Sequence, residues 1–374
     1  MTKSKVYFTN LRTSARANLL DKLEKLVVKA GIKTINFDQQ FVALKIHVGE
    51  AGNIAYIRPN YVARLVELIK SLGGKPFLTD CNTLYSGKRN NAIDHLDTAT
   101  QHGFNPLSAG CHMIIGDGIK GTDERAIDIQ GKYCPKPLIG AAIADADIII
   151  SLNHFKGHEM AGFGGAMKNL GMGCGSVRGK MEMHASCTPT IDKSICRGCG
   201  VCVQKCDHGA AFMGPDKKAD IDADKCVGCG QCIAVCPFNA AQTSSWGDAK
   251  TINYRIDEYA MAVLKGKPNF HINFLLCVSP ECDCWGHNDS AIVPDLGIMA
   301  SFDPVALDKA SADMVNAAPA LANSVLTDRH ERDACCHKEK FGLLHPDTDW
   351  LAGLEYAQEI GLGSLDYDLV SLDK

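Results

Sequence analysis

The sequence predicts an α/β protein with a mainly parallel sheet, interrupted by an inserted cysteine-rich module. Three observations lead there. Segments of strand character alternate with amphipathic helical ones from Lys5 to Leu152 and again after Tyr254, and repeated strand–helix–strand units favour parallel pairing. Between these stretches, two cysteine runs repeat thirty residues apart. The chain has 374 residues, room for about two domains. The expected boundaries are 1–186 for the first segment of the α/β domain, 187–244 for the insert and 245–374 for the second segment.

The elements follow in order. Lys5–Thr9 reads as a strand. Asn18–Ala30 places leucines and valines at helical spacing, and Gly31 follows as a stop. Phe41–Val48 is a buried strand; Pro59–Leu72 is a helix opened by proline and closed before Gly73-Gly74. Pro76–Thr79 is a short strand, Asn91–His102 a helix and Met113–Ile115 a strand. Leu138–Ala146 reads as a weaker helix leading into Ile148-Ile-Ile-Ser-Leu152, the most apolar strand. From Asn153 to Ala185 the periodicity stops in a long Gly-, His- and Lys-rich connection, and long connections inside compact domains are usually functional. Afterwards come a helix over Tyr254–Lys265, a strand over His271–Val278, a helix over Pro304–Val315 capped by Asp303, and a helix over Asp349–Ile360. Val370–Lys374 carries no pattern.

The cysteine runs are Cys196-x-x-Cys199-x-x-Cys202-x-x-x-Cys206 and Cys226-x-x-Cys229-x-x-Cys232-x-x-x-Cys236-Pro237. In the bacterial ferredoxin pattern each run gives three thiolates to its own cluster and its fourth to the other. Cys196, Cys199, Cys202 and Cys236 are therefore assigned to one [4Fe–4S] cluster, and Cys226, Cys229, Cys232 and Cys206 to a second. Structural zinc would use paired Cys-x-x-Cys sets, and a disulfide framework would need an oxidising compartment. The fold expected is thus an α/β domain with an inserted two-cluster ferredoxin-type module.

Composition bounds the partners. A net charge of −4 without a basic cluster gives no reason to expect nucleic acid. No apolar run approaches the ~20 residues needed to span a bilayer, and no secretory h-region opens the chain, so a cytoplasmic protein is expected. Of 18 cysteines, eight serve the clusters, and ten remain: 81, 111, 134, 174, 187, 277, 282, 284, 335 and 336. So many thiols beside oxygen-sensitive clusters fit a reducing cytosol and an anaerobe.

Ligands of open α/β sheets collect beyond the carboxyl ends of the strands, where this chain carries convergent polar groups. Lys156, His158 and Lys168 are the candidate catalytic residues, able to position an anion or supply protons. Lys45, His47, Arg58, His154, Gly164, Gly165 and Asn169 are candidates for binding a substrate or cofactor. A solvated surface role is the competing reading for any single His or Lys. Lys168 in an apolar setting would have a lowered pKa and serve as base or attachment point. Cys282-Asp-Cys284, with Cys277 and His287 nearby, offers a second constellation for a further metal, against the plainer reading of buried small hydrophobes. Cys335-Cys336-His337 is a weaker version of the same signal.

At these residues the chain resembles the uncharacterised iron–sulfur centre proteins, a large prokaryotic family of unknown function. The resemblance runs through Lys45-Ile-His-Val-Gly-Glu50, Arg58-Pro59, Thr79-Asp-Cys-Asn-Thr83, Leu152-Asn-His-Phe-Lys-Gly-His158 and Gly164-Gly-Ala-Met-Lys-Asn-Leu170. It continues through both cysteine runs to Cys282-Asp-Cys284, Ile292-Val-Pro-Asp-Leu-Gly297 and Ser301-Phe-Asp-Pro304. It implies an α/β domain with a two-cluster ferredoxin insert. A shorter stretch, His158-Glu-Met-Ala-Gly-Phe-Gly-Gly-Ala-Met-Lys168, is similar to the nickel-pincer lactate racemases. That likeness implies a pincer cofactor on Lys168, with His184 where a further nickel-binding histidine would sit.

The function expected is an oxidoreductase that relays electrons through two [4Fe–4S] clusters to a substrate or cofactor in the Gly/His/Lys-rich cleft. Its partners would be a low-potential electron donor or acceptor protein and an anionic small molecule; a further prosthetic group or metal would also fit the cleft. The alternatives are a non-catalytic electron carrier or maturation partner of a larger redox enzyme, and pincer-type chemistry at Lys168.

Overall fold

A computed structural model describes residues 3–84, 87–184, 189–206, 208–226, 232, 236–238, 240–243, 249–329 and 339–373. Its body is an eight-stranded sheet. The strands are β1 (Ser4–Thr9), β2 (Phe41–Ile46), β3 (Lys75–Asp80), β4 (Met113–Ile115), β5 (Ile148–His154), β6 (Asn269–Leu275), β7 (Gly297–Ser301) and β8 (Tyr367–Ser371). Their spatial order is β8-β1-β7-β6-β5-β2-β3-β4. Of its seven neighbouring pairs five are parallel; β7 alone runs against its neighbours, β1 and β6. The expected mainly parallel α/β architecture is what the chain adopts.

Strand residues alternate between two cores, as the pleat requires. Ala43 and Ile149 face one core; Val42, Leu44, Ile46, Ile148 and Ile150 face the other. The second core is covered by α1 (Leu19–Lys29) and α2 (Pro59–Ser71), through Leu23, Leu26, Val62 and Leu65, with Ala99 from α3 (Ala92–Gln101). The first is covered by α4 (Ala166–Cys174), α6 (Ala249–Leu264), α7 (Pro304–Ala317) and α8 (Trp350–Glu359), with the short α5 (Val177–Met183) beside them. Burial on both faces explains why Ile148–Leu152 is continuously apolar up to the serine. Among the described residues no helix is long and apolar enough to cross a membrane.

Three local expectations need correction. The Gly-rich connection is regular: Lys156–His158 pairs with Gly162–Gly164 as a hairpin, and α4 and α5 follow. Glycines hide this helix because its identity comes from packing rather than propensity. A Cβ at Gly171 would lie against the carbonyl of Ile256, and one at Gly164 would fall 2.6 Å from Lys156 Nζ. The weak helix at Leu138 is a strand over Leu138–Gly140 and a helix over Ala141–Ala144. The patternless C-terminus supplies β8, which pairs in parallel with β1 from Ser4↔Tyr367 to Phe8↔Ser371. At the sheet edge none of its residues is buried, so its apolar signal is faint.

In the cysteine-rich segment, Pro189–Ile191 pairs with Ala241–Thr243 and Ala211–Met213 with Ala219–Ile221, both antiparallel and separate from the main sheet. The thirty-residue repeat is visible in the backbone. The N–H of Asp192 bonds the carbonyl of Ala240 at 2.7 Å, and that of Asp222 bonds Ala210 at 2.8 Å. Cys196 and Cys226 each donate to the carbonyl of the aspartate four residues earlier, at 3.0 Å.

Candidate functional site

From β2 the chain moves outward through β3 and β4, then returns to β5 on the other side of β2. That reversal opens a crevice beyond the strand ends, where ligands of such sheets bind. A cavity open to solvent occupies it, lined by His47 after β2, Asp80 of β3, Asn153 and His154 of β5, and Lys156, Lys168 and Cys284, among others. The convergence of polar groups suits a small molecule.

Beneath the cavity lies a buried polar frame. Lys45, fully buried, pairs with Asp80 at 2.9 Å and donates to Asn169 Oδ1 at 2.6 Å. Burial would raise the Asp80 carboxyl, but Lys45, His95, His47 and Arg89 together hold it far below the usual carboxylate range. Asn169 donates to Asn153 Oδ1 at 2.7 Å and to the Leu152 carbonyl at 3.1 Å, tying α4 to β5. Asp308 of α7 accepts the Ala166 and Met167 N–H groups at 2.7 and 2.9 Å, so another helix caps α4. Such buried networks fix side chains that a loop would leave free.

One wall is a sulfur corner. Lys168 Nζ stands 3.4 Å from Cys282 Sγ, and the Cys284 N–H donates to that sulfur at 3.4 Å. His158, Cys282 and Cys284 bring a ring nitrogen and two sulfurs within 4.8 Å of one another. Sharing a hydrogen bond with Cys284 is the main cause holding the Cys282 thiol well below its ordinary range; burial opposes this, while Lys168, Lys156 and His158 support it. The same sharing, with burial, pushes Cys284 well above. The lowered pKa expected for Lys168 is not found. Burial pulls it down, but Cys282, Cys284 and Glu159 outweigh that and hold it above the usual lysine value.

Two histidines are fixed beside this corner. His154 Nδ1 meets Asp283 Oδ2 at 2.7 Å and Nε2 meets the Leu276 carbonyl at 2.8 Å. Both partners accept, so the ring satisfies them by donating from both nitrogens. His158 Nδ1 accepts the N–H groups of Met160 and Ala161 at 3.1 and 3.0 Å, which leaves the proton of a neutral ring on Nε2.

Most predicted residues meet here. His47, His154, Lys156, Gly165, Lys168 and Asn169 line the cavity; Lys45 lies under it, and Gly164 backs onto Lys156. Arg58 is apart: it is the exposed N-cap of α2, and its charge bears on Tyr61 and Cys277. Cys282 and Cys284 join the lysines, whereas His287 is exposed and meets Glu281 at 3.1 Å. The Cys-x-Cys pair was legible in the sequence; its 114-residue link to Lys168 was not.

A second, smaller cavity is lined by Cys196, Cys199, Cys202 and Cys236, among others. These are three cysteines of the first run and the last of the second. The Ala240 N–H donates to Cys236 Sγ at 3.2 Å; at the repeat-related position, Ala210 and Ala211 donate to Cys206 Sγ at 3.3 and 3.4 Å. Cys202 and Cys232 are buried together with Ala219 and Ala241. Cys229 and the Cys335-Cys336-His337 stretch lie outside the described residues.

Two solved structures are similar in outline. The lactate racemase apoprotein from Thermoanaerobacterium thermosaccharolyticum matches 72% of this chain and 50% of its own at 11% identity, with a TM-score of 0.38. A crystal structure of a Thermotoga maritima protein matches 78% of this chain and 57% of its own at 12% identity, with a TM-score of 0.40. The chain thus spans a little over half the length of these structures or less, and at that level the likeness carries no chemistry. No curated protein matches. Residues 42–313, which hold both cavities and most of the sheet, match a domain of unknown function, and the chain belongs to that family, DUF362.

Proposed function

We propose that this protein is an iron–sulfur oxidoreductase in which the two cysteine runs hold two [4Fe–4S] clusters and the α/β cavity binds the anionic substrate or cofactor that exchanges electrons with them. The observation that carries the reading is the set of sulfurs around the smaller cavity: Cys196, Cys199 and Cys202 with Cys236 from the other run. A zinc site built from one run would not need the distant fourth cysteine. Backbone N–H groups aimed at Cys206 and Cys236 suit thiolates that share a cluster's negative charge. Bound clusters supply single electrons at low potential.

The larger cavity supplies the binding chemistry. Lys156 is 6% exposed and lines it, yet its Nζ donates to no side chain or carbonyl among the described residues. An ammonium that borders the cavity in this way is placed to receive an anion. Lys168 stays charged against Cys282, and His154 is held by Asp283, so both orient rather than exchange protons in the resting site. This cavity favours an enzyme over a bare electron carrier, and the engagement of Lys168 by sulfur favours an ion-pair role over a cofactor attachment. The proposed setting is a reducing, cytoplasmic one with a low-potential protein donor.

The test is anaerobic purification with iron and sulfide determination, followed by electron paramagnetic resonance after reduction and viologen-linked assays of small anions. About eight irons per chain and anion-dependent viologen oxidation are expected. Zinc in place of iron would overturn the reading.

A further inference from the structure

We propose that Cys282 and Cys284 form a two-electron dithiol–disulfide couple on the wall of the larger cavity, where electrons that arrive singly are paired. The inference rests on the electron-relay reading for its reductant, but the couple itself stands on the geometry of the corner.

The two sulfurs are close and unequal. They lie within 4.8 Å of each other, separated in sequence only by Asp283. The turn between them is pinned from three sides. Asp283 Oδ2 meets His154 at 2.7 Å, the Asp283 carbonyl accepts the Glu50 N–H at 2.9 Å, and the Trp285 N–H closes onto the Cys282 carbonyl at 3.2 Å. Cys282 is 1% exposed and faces the Lys168 ammonium; Cys284 is partly exposed and lines the cavity. One sulfur is thus placed to hold charge and the other to meet what enters.

The same corner suits a metal less well. A neutral His158 keeps its proton on Nε2, because Nδ1 already accepts two backbone N–H groups. That nitrogen therefore donates toward sulfur and has no lone pair to give an ion. Lys168, 3.4 Å from Cys282 Sγ, already supplies the positive charge that a metal would bring. A soft cation would have to displace an ammonium and reverse a tautomer to gain three ligands.

The step balances simply. In the oxidised form a bond joins the two Sγ atoms. Two electrons from a low-potential one-electron donor break it; Cys284 takes up one proton to become a thiol, and Cys282 remains a thiolate against the Lys168 ammonium. Oxidation returns both electrons and that proton. A stabilised thiolate favours the reduced form and so makes the couple more oxidising.

The full-length protein, kept anaerobic, would be equilibrated in dithiothreitol redox buffers, alkylated and mapped by peptide mass spectrometry. The expected result is a peptide joining Cys282 to Cys284 by a disulfide in oxidising buffers, with both thiols recovered on reduction. Lys168→Met should move the equilibrium about tenfold toward the disulfide, about 30 mV, and Lys168→Arg should restore most of it. Thiols that stay alkylatable at every potential would overturn the couple, as would a stoichiometric, chelator-removable zinc or nickel ion that blocks both. The Cys196→Ser variant separates this from the relay reading, since its disulfide should still form in the redox buffer. A normal iron count with no disulfide would sink the couple alone.

Discussion

In the cysteine-rich segment the groups that meet are near one another in sequence: Cys196, Cys199 and Cys202 reach one cavity from a single short run, and only Cys236 comes from the other. In the larger cavity Lys168 meets Cys282 across 114 positions, His154 meets Asp283 across 129, and Lys45 meets Asn169 across 124. The first arrangement is written in turn geometry. The second depends on a folded sheet that brings strand ends together, and it buries charge to do so. The two regions should therefore fail in different ways when perturbed.

Acid should separate them most. Burial pushes His95, His184 and His271 down to about 3, whereas unfolded histidines titrate near ~6.5. Below that value the unfolded state binds protons that the native body refuses, so stability falls as pH falls. Each such group adds up to about 1.4 kcal/mol per pH unit. Asp283 acts lower down: burial would raise it, but His154 holds it below the usual carboxylate range. Its contribution is present above an unfolded pKa of ~3.9 and lost as pH drops below it. Urea melts from pH 7 to pH 4 should show a steep decline, and a flat profile would break the account of the body.

Lys45→Ala comes next. It strips Asp80 of its nearest cation inside the protein, and breaking such buried pairs costs about 3–5 kcal/mol. Denaturation followed by far-ultraviolet circular dichroism should record that loss. Cys236→Ala is the counterpart in the other region. Iron should fall from about eight to about four per chain, while the stability of the body stays within about 0.5 kcal/mol. A large loss of body stability would show that the two regions are not independent. The smallest effect belongs to Arg58→Ala, which should change stability by less than about 0.5 kcal/mol and leave anion-dependent turnover unaltered, because Arg58 is exposed and away from the cavity.

The Gly-rich connection shows where sequence reading stops. Its histidines and lysines marked it as a site, and Lys156 and Lys168 do line the cavity. Its secondary structure was hidden, since a helix containing Gly171, Gly173 and Gly175 at its end has little propensity of its own. Asp308, from a strand-and-helix unit far along the chain, supplies the cap that makes it hold. The strand Gly297–Ser301 was missed for a related reason: it is short, and its reversed direction follows from its neighbours rather than its composition.

Periodicity and residue type were enough, by themselves, to fix the α/β class, the helices bounded by Pro59 and Asp303, and the spacing of the eight cysteines, because each depends on neighbours within a few turns of chain. The partner of Lys168, the tautomer of His158, the isolation of Arg58 and the meeting of Cys282 with a lysine were decided only when the sheet closed. Those contacts depend on which strand ends lie side by side, and strand order is a property of the whole fold.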